Sequence, residues 1–461
     1  MKKWQHGTTI LAVGLLLAIP VSPSRGQNGT VGTAEPLTLE QAIELALTDN
    51  REYTLARQER DRATGQRNEA RAARNPTLGA TAGYVRLSQG QVVDFGPVQV
   101  VGAYPNQANY TAQIALPIDV AGMLRTAESV SELQRVVAEL DTMRVRNDLM
   151  LQVRVAFYDV LRAESLRVVA ETAVKNAETR LADAEKAKTA GIVPRFDVIR
   201  AETGLADTEQ QRIQAINRVR LAQSALNRVL GQPIANLRSV REPEPISVAG
   251  FDPEPGSPDP NANPLDDEYA ALVAEALANR PEILAAEAGI KASERGITLA
   301  RRSLAPTLGA QVGGQYNPNA GAFQLNRLAT FGVTLTVPIS DGGLARARKQ
   351  QAEAEREAAV TTRRLAEDAI TLEVQQAYLD LRTARERLRV AAAALEQGRE
   401  AVRMARVRYQ SGISAEGVSP LLEVSDAQTG QTQAESNYTN ARYDVRIAQA
   451  RLEKAVGRYA R

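Results

Sequence analysis

Residues 307–337 read TLGAQVGGQYNPNAGAFQLNRLATFGVTLTV, and Arg327 is their only charged side chain. Leu308, Ala310 and Val312 alternate with Gly309, Gln311 and Gly313, and Phe331, Val333, Leu335 and Val337 alternate with Gly332, Thr334 and Thr336. A period of two puts each set on its own face of a strand, so the stretch predicts a hairpin with one apolar and one small, polar face. Residues 77–116 repeat the pattern. Leu78, Ala80, Ala82 and Tyr84 oppose Thr77, Gly79, Thr81 and Gly83, and Tyr110, Ala112, Ile114 and Leu116 oppose Thr111, Gln113 and Ala115.

The two segments avoid charge. They hold Arg86, Asp94 and Arg327 in 71 residues, where the chain's 24% charged content would supply about 17. A soluble half-buried sheet carries Lys, Glu or Arg on its wet face, whereas these strands carry Thr, Gln and Gly there. That is the pattern of transmembrane β-barrel strands. Tyr84, Tyr104, Tyr110, Tyr316, Phe323 and Phe331 are expected near the strand ends, at the height of interfacial girdles. Four strands are too few to close a barrel, so the rest must come from sister chains; dimer, trimer and tetramer all satisfy this, and an open lumen favours the larger rings.

Outward from the hairpins the chain predicts helices of unusual length. Residues 123–190 contain neither Gly nor Pro, and residues 344–410 contain no Pro and only Gly398. Each run would extend about 100 Å as one helix, too long for a compact domain of this size. Ile370, Val374, Ala377, Leu381, Ala384, Leu388, Ala391 and Leu395 step by alternating fours and threes, and Leu149, Val153, Ala156, Val160 and Ala163 do the same. This is the 3.5-residue seam of paired, supercoiled helices.

The chain is also a tandem repeat. Asn75-Pro76-Thr77-Leu78-Gly79 returns as Ala305-Pro306-Thr307-Leu308-Gly309, Leu116-Pro117-Ile118-Asp119 as Val337-Pro338-Ile339-Ser340, and Val229-Leu230-Gly231 as Ala455-Val456-Gly457. The first repeat is expected over 27–231, with a β-hairpin at about 77–118, a long helix at about 121–190 and a return helix at about 197–230. The second is expected over 265–461, with the corresponding elements at about 307–339, 343–410 and 418–456. Between them, residues 232–264 hold eight of the 21 prolines and form a connector.

Composition removes whole classes of chemistry. There is no Cys, and the single His6 and Trp4 lie in the first six residues. Lys2 and Lys3, the apolar run Ile10–Val21 and Ser24-Arg25-Gly26 read as a secretory signal peptide over 1–26, cleaved before Gln27. The mature chain therefore lacks the residues for disulfides, thiol chemistry, His or Cys metal sites and a Ser-His-Asp triad. No metal, cofactor or enzymatic activity is expected. With Lys2, Lys3 and Arg25 removed, the formal charge of +2 becomes −1, which gives no footprint for nucleic acid.

Taken in order, these motifs resemble the TolC-type outer-membrane efflux channel family across essentially the whole mature chain. Leu37-Thr38-Leu39-Glu40-Gln41-Ala42 opens the first copy. The paired Pro-Thr-Leu breaks, Gly191-Ile192-Val193-Pro194-Arg195-Phe196-Asp197-Val198 and Leu422-Glu423-Val424-Ser425-Asp426-Ala427-Gln428 complete the likeness. The resemblance implies a mainly α fold with a small β part: long antiparallel helical hairpins forming a periplasmic α-barrel, plus a transmembrane β-barrel of four strands per protomer and twelve per homotrimer. It implies residence in the lipid of the outer membrane. It also implies a periplasmic adaptor (membrane fusion) protein and an inner-membrane pump of RND, ABC or MFS type, so that the chain is the passive exit duct of a tripartite efflux or type I secretion system. A secreted periplasmic coiled-coil scaffold without a pore is the alternative that the helices alone allow.

By the same resemblance, the periplasmic constriction maps to Asp197, Tyr409, Glu423 and Asp426, and the adaptor-docking tips to Gly191, Ile192, Gly412 and Ile413. Glu423 and Asp426 lie three apart on one predicted helix, so threefold repetition would ring a lumen with carboxylates. The second turn departs from the family: Gly412 to Pro420 is about five residues longer than its partner turn and carries no basic residue. That leaves the turn itself without the cation of an acidic latch.

Overall fold

The computed structural model describes residues 36–236, 238–242, 267–411 and 420–460. The leader, residues 243–264 of the connector, and the second turn with Gly412 and Ile413 lie outside the described residues. Two similar element orders follow each other. The first is α1 (Leu39–Asp49), α2 (Arg51–Ala72), β1 (Thr77–Arg86), β2 (Gln91–Phe95), β3 (Val98–Ala103), β4 (Asn106–Ile118), α3 (Met123–Thr189) and α4 (Arg195–Val229). The second is α5 (Asp267–Asn279), α6 (Pro281–Arg301), β5 (Thr307–Tyr316), β6 (Arg327–Thr336), α7 (Leu344–Gln410) and α8 (Pro420–Val456). Both α3 and α7 run unbroken for 67 residues, roughly 100 Å of helix.

The long helices form antiparallel pairs, α3 with α4 and α7 with α8, and α3 also lies along α8. All eight seam residues from Ile370 to Leu395 are buried. Leu381, Ala384, Leu388 and Ala391 pack there on Ala441, Val445 and Ala448 of α8. In α3 the seam holds at Leu149, Val153, Val160 and Ala163; Ala156 is only half-buried, and the neighbouring Phe157 is fully enclosed. Polar clips join the two copies: Arg154 to Glu453 at 2.6 Å, Arg162 to Asp444 at 2.9 Å, and Ser165 Oγ to Tyr443 Oη at 3.1 Å.

A strand must become a helix at two places, and an aspartate does it each time. The Asp119 carboxylate accepts from the backbone N–H groups of Leu124 and Arg125 at 3.1 and 3.0 Å, and Asp341 accepts from those of Gly343 and Ala345. These N–H groups have no partner within their helix, so the caps hold the long helices to the sheet.

The sheet runs β1-β4-β5-β6, antiparallel throughout, and the two copies meet at the β4–β5 pair. Its register aligns the alternation across strands. Leu78, Ile114, Val312 and Phe331 form one row, and Leu116, Ala310 and Val333 another, on one face. The opposite face carries Gly79, Gln113, Gly313 and Thr330 in a row. Phe331, expected near a strand end, sits in the middle of β6 and is 79% exposed.

The first copy carries one hairpin more than the alternation predicts. Strands β2 and β3 turn over Gly96, whose φ is +74°, and pair Val93 with Val100 and Asp94 with Gln99 as a separate two-stranded sheet. The β5–β6 connection docks on it through Ala322 N–H to the Val101 carbonyl at 2.8 Å.

The short helices close each copy by a matching corner. Asn50 caps α2 by accepting from Tyr53 N–H at 3.0 Å, while its amide donates to the Val229 carbonyl at 2.8 Å. Gly231 follows with φ +73°, where an added Cβ would lie 2.2 Å from the Asp49 carbonyl oxygen. In the second copy Arg280 stands at the start of α6 and donates to the Ala455 carbonyl at 3.4 Å. Gly457 has φ +85° beside it. We predict that Gly231→Ala lowers the melting midpoint followed by circular dichroism, through at least about 1–2 kcal/mol of left-handed backbone strain before any clash. An unaltered midpoint would mean that this corner does not hold the fold.

Arg280 is buried and pairs with Glu282 at 2.6 Å and with Glu373; Lys454 bridges Glu373 at 2.9 Å and Asp148 at 3.1 Å. Burial pushes both glutamates up, but the hydrogen bonds and charge of Arg280, joined at Glu373 by Lys454, outweigh it and hold both below the usual carboxylate value. Such groups stabilise the fold fully above the unfolded value of 4.5, and the stabilisation fades as pH falls through the lower folded values. Thermal melts should therefore show an acid limb below about pH 4.5. Glu282→Gln with Glu373→Gln should flatten that limb and lower the midpoint at neutral pH; an identical acid limb in the variant would refute the assignment.

Candidate functional site: the helical tips and the open sheet

At the far end of the first hairpin, α3 stops because Gly191 takes φ +75°, and Ile192 N–H closes the turn on the Ala187 carbonyl at 2.8 Å. This is a glycine-terminated helix end. Pro194 then starts α4. The turn leaves apolar surface in water: Ile192 is 77% exposed and Phe196 62%, with the Arg200 guanidinium 5.1 Å from the Phe196 ring centre.

Just inside the turns all four long helices meet. Ala184 of α3, Val198 of α4 and Leu421 of α8 form a small buried cluster, against which Tyr409 of α7 packs. Asp197, in the first turn of α4, is also buried. It lines a cavity of about 30 Å³ with Arg180, Arg200, Leu421 and Ser425. The structure thus brings Asp197 and Tyr409 each beside Leu421, with Glu423 in the same first turn of α8. Asp426 is exposed one turn further along and has no ion pair among the described residues.

Two cations change the electrostatics expected from the acidic residues alone. Arg408, near the end of α7, pairs with Glu423 at 3.3 Å. Arg408 lies just before the second turn, on the opposite arm of the same hairpin. Arg180 reaches from α3 to α8 and donates to Gln428 Oε1 at 2.5 Å. Burial draws its pKa below the usual arginine value. Sequence reasoning missed both, because an Arg on a long charged helix reads as a solvated face. Only the antiparallel register of α7 and α8 identifies Arg408 with Glu423.

At the other end of the molecule the sheet is open. Strands β1 and β6 are its two edges, and among the described residues each has a strand partner on one side only. Leu78, Tyr84, Phe331, Val333 and Leu335 are all more than half exposed. Such an apolar face and such unpaired edges do not persist in water. No described helix is long and apolar enough to cross a membrane.

Comparison with known proteins agrees with this geometry. Residues 42–232 and 272–458 match the family described as outer membrane efflux protein, in two segments that follow the tandem repeat. Outer membrane protein OprJ of Pseudomonas aeruginosa is 26% identical over 425 residues, spanning 91% of this chain and 84% of OprJ. Cobalt-zinc-cadmium resistance protein CzcC of Cupriavidus metallidurans is 24% identical over 311 residues, spanning 67% of this chain and 64% of CzcC. Among solved structures, CusC superposes with a TM-score of 0.73 at 17% identity, covering 96% of this chain and 98% of CusC. VceC of Vibrio cholerae gives 0.71 at 18% identity, covering 91% and 96%. The chain belongs to the outer membrane efflux protein family and resides in the outer membrane, with its long helices in the periplasm.

Proposed function

We propose that the chain is the passive exit duct of a multi-component export system, closed into a tube by three copies. The observation that carries this reading is the four-stranded sheet with one apolar face, one uncharged polar face and two unsatisfied edges. Three such sheets make a twelve-stranded barrel whose apolar faces meet lipid and whose Thr, Gln and Gly faces line the lumen. The paired helices continue the same tube into the periplasm for about 100 Å. The relatives' names include cobalt-zinc-cadmium resistance and pyoverdine export, so cargo choice is assigned to the pump. Their variety leaves tripartite efflux and type I secretion as two uses of one duct.

In this reading the helical tips do two things. Gly191, Ile192 and Phe196 offer the adaptor an apolar knob, with Gly412 and Ile413 on the second turn as its counterpart. Asp197, Tyr409, Glu423 and Asp426 form the constriction, with Arg408 tying Glu423 to its own hairpin and Asp426 contributing exposed carboxylates. A carboxylate ring at a narrow point attracts cations and repels anions.

Recorded in planar bilayers, Glu423→Ala with Asp426→Ala should raise single-channel conductance severalfold and reduce cation selectivity. Wild-type behaviour in both respects would remove these residues from the constriction. Ile192→Asp should leave assembly and conductance intact but abolish export in cells, because a charge now sits in the apolar contact. Undiminished export would place adaptor docking elsewhere.

A further inference from the structure

The four-stranded sheet contains no acidic residue, and its only charges are Arg86 and Arg327. Three placements coincide. Both arginines lie at the end of the sheet remote from the long helices, since β4 leads into α3 after Ile118 and β6 leads into α7 after Thr336. Both lie on the apolar face, because Arg86 is in phase with Leu78 and Tyr84, and Arg327 with Phe331 and Val333. Each is on an edge strand, β1 or β6, and these edges become neighbours wherever one copy's sheet meets the next. Both side chains are exposed, and neither has a carboxylate partner among the described residues.

Tyrosines surround them. The row at Arg327 runs Ala82, Tyr110, Tyr316, Arg327 across all four strands. Tyr110 and Tyr316 stack with ring centres 6.2 Å apart, and the Arg327 guanidinium lies 5.6 Å from the Tyr316 ring centre. Tyr84 donates to Asn106 Oδ1 at 2.9 Å, and Asn106 is the register partner of Arg86. Four apolar or small-residue rows separate the Arg327 row from the helical end of the sheet, ending with Ile118, Leu308 and Leu335, and Arg86 lies two rows farther out on β1. The band therefore stands at the outer headgroup level of a tilted strand. Two guanidiniums on a lipid-facing surface without a carboxylate partner among the described residues call for an anion from outside the sheet. Lipid phosphate is the anion found at that height, and it suits the planar fork of arginine.

We propose that the outer rim of the apolar face is a binding site for the phosphorylated headgroup of an outer-leaflet lipid, gripped by Arg327 of one copy and Arg86 of the next. Tyr84, Tyr110 and Tyr316 flank the acyl-sugar boundary. The inference rests on the closure of the sheet between copies, and the site sits once at each seam.

Native mass spectrometry of the detergent-purified full chain tests it, with lipid A bearing two phosphates, the same lipid dephosphorylated, and inorganic phosphate as probes. The wild type should retain phosphorylated lipid A at concentrations about tenfold lower than the dephosphorylated form. Arg86→Gln with Arg327→Gln should erase that preference, and Arg327→Lys should keep part of it by keeping the charge. Excess inorganic phosphate should not displace the lipid. A wild type without preference, a double variant that keeps it, or displacement by inorganic phosphate would each overturn the proposal. The same spectra report the number of copies, so a failure of closure registers as single chains, while a failure of the site registers as trimers without lipid preference.

Discussion

Everything in this molecule follows from the two free edges of a four-stranded sheet. The centre of a bilayer holds no water to satisfy backbone N–H and C=O groups, and each one left unpaired there costs several kcal/mol. Strands β1 and β6 present a row of such groups over ten residues each. Among the described residues no strand is left to cover them, because β2 and β3 pair with each other in a separate sheet. In the proposed closure, sister chains supply the missing partners. The antiparallel order up-down-up-down lets β6 of one copy meet β1 of the next without a change of direction.

The helical part has the complementary problem of reaching far from the membrane without a compact core. It solves this by pairing. Small alanines on the α7 seam let α8 approach closely, and the aligned clips from α3 to α8 fix which helix of one copy lies beside which helix of the other. Each exposed or half-exposed clip contributes little alone, of the order of 0–1 kcal/mol. Their value lies in register. The corners at Asn50 and Arg280 perform one structural task with different chemistry, an amide in the first copy and a guanidinium network in the second. Duplication kept the geometry and let the side chains diverge.

Much of this was legible from residue spacing. The faces of β1, β4, β5 and β6 could be read because strand alternation is strict, and the α7 seam because Ile370 to Leu395 keep their period without a break. The β2–β3 hairpin could not be read in that way. Val92-Val93 and Val100-Val101 are adjacent apolar residues, and the ladder shifts register between Gln91 and Val92, so no alternation survives. At the tips, Asp197 and Tyr409 are singled out by resemblance alone, and the partners that define their surroundings are not legible in the sequence. Arg408 meets Glu423 only because of how α8 returns, and Arg180 meets Gln428 across two copies of the repeat. Such contacts depend on turn length and packing, which one-dimensional spacing does not carry.

Closure of the sheet by three copies can be read from cross-linking in intact outer membranes, because the chain contains no cysteine. Thr81→Cys on the lumenal face of β1 can be combined in turn with Thr330→Cys and Thr334→Cys on the same face of β6. Oxidation should convert one of these double variants into a covalent trimer and nothing larger, while each single variant stays a monomer on denaturing gels. Monomer alone from every pair, or an open ladder beyond three, would contradict closure of the sheet by three copies.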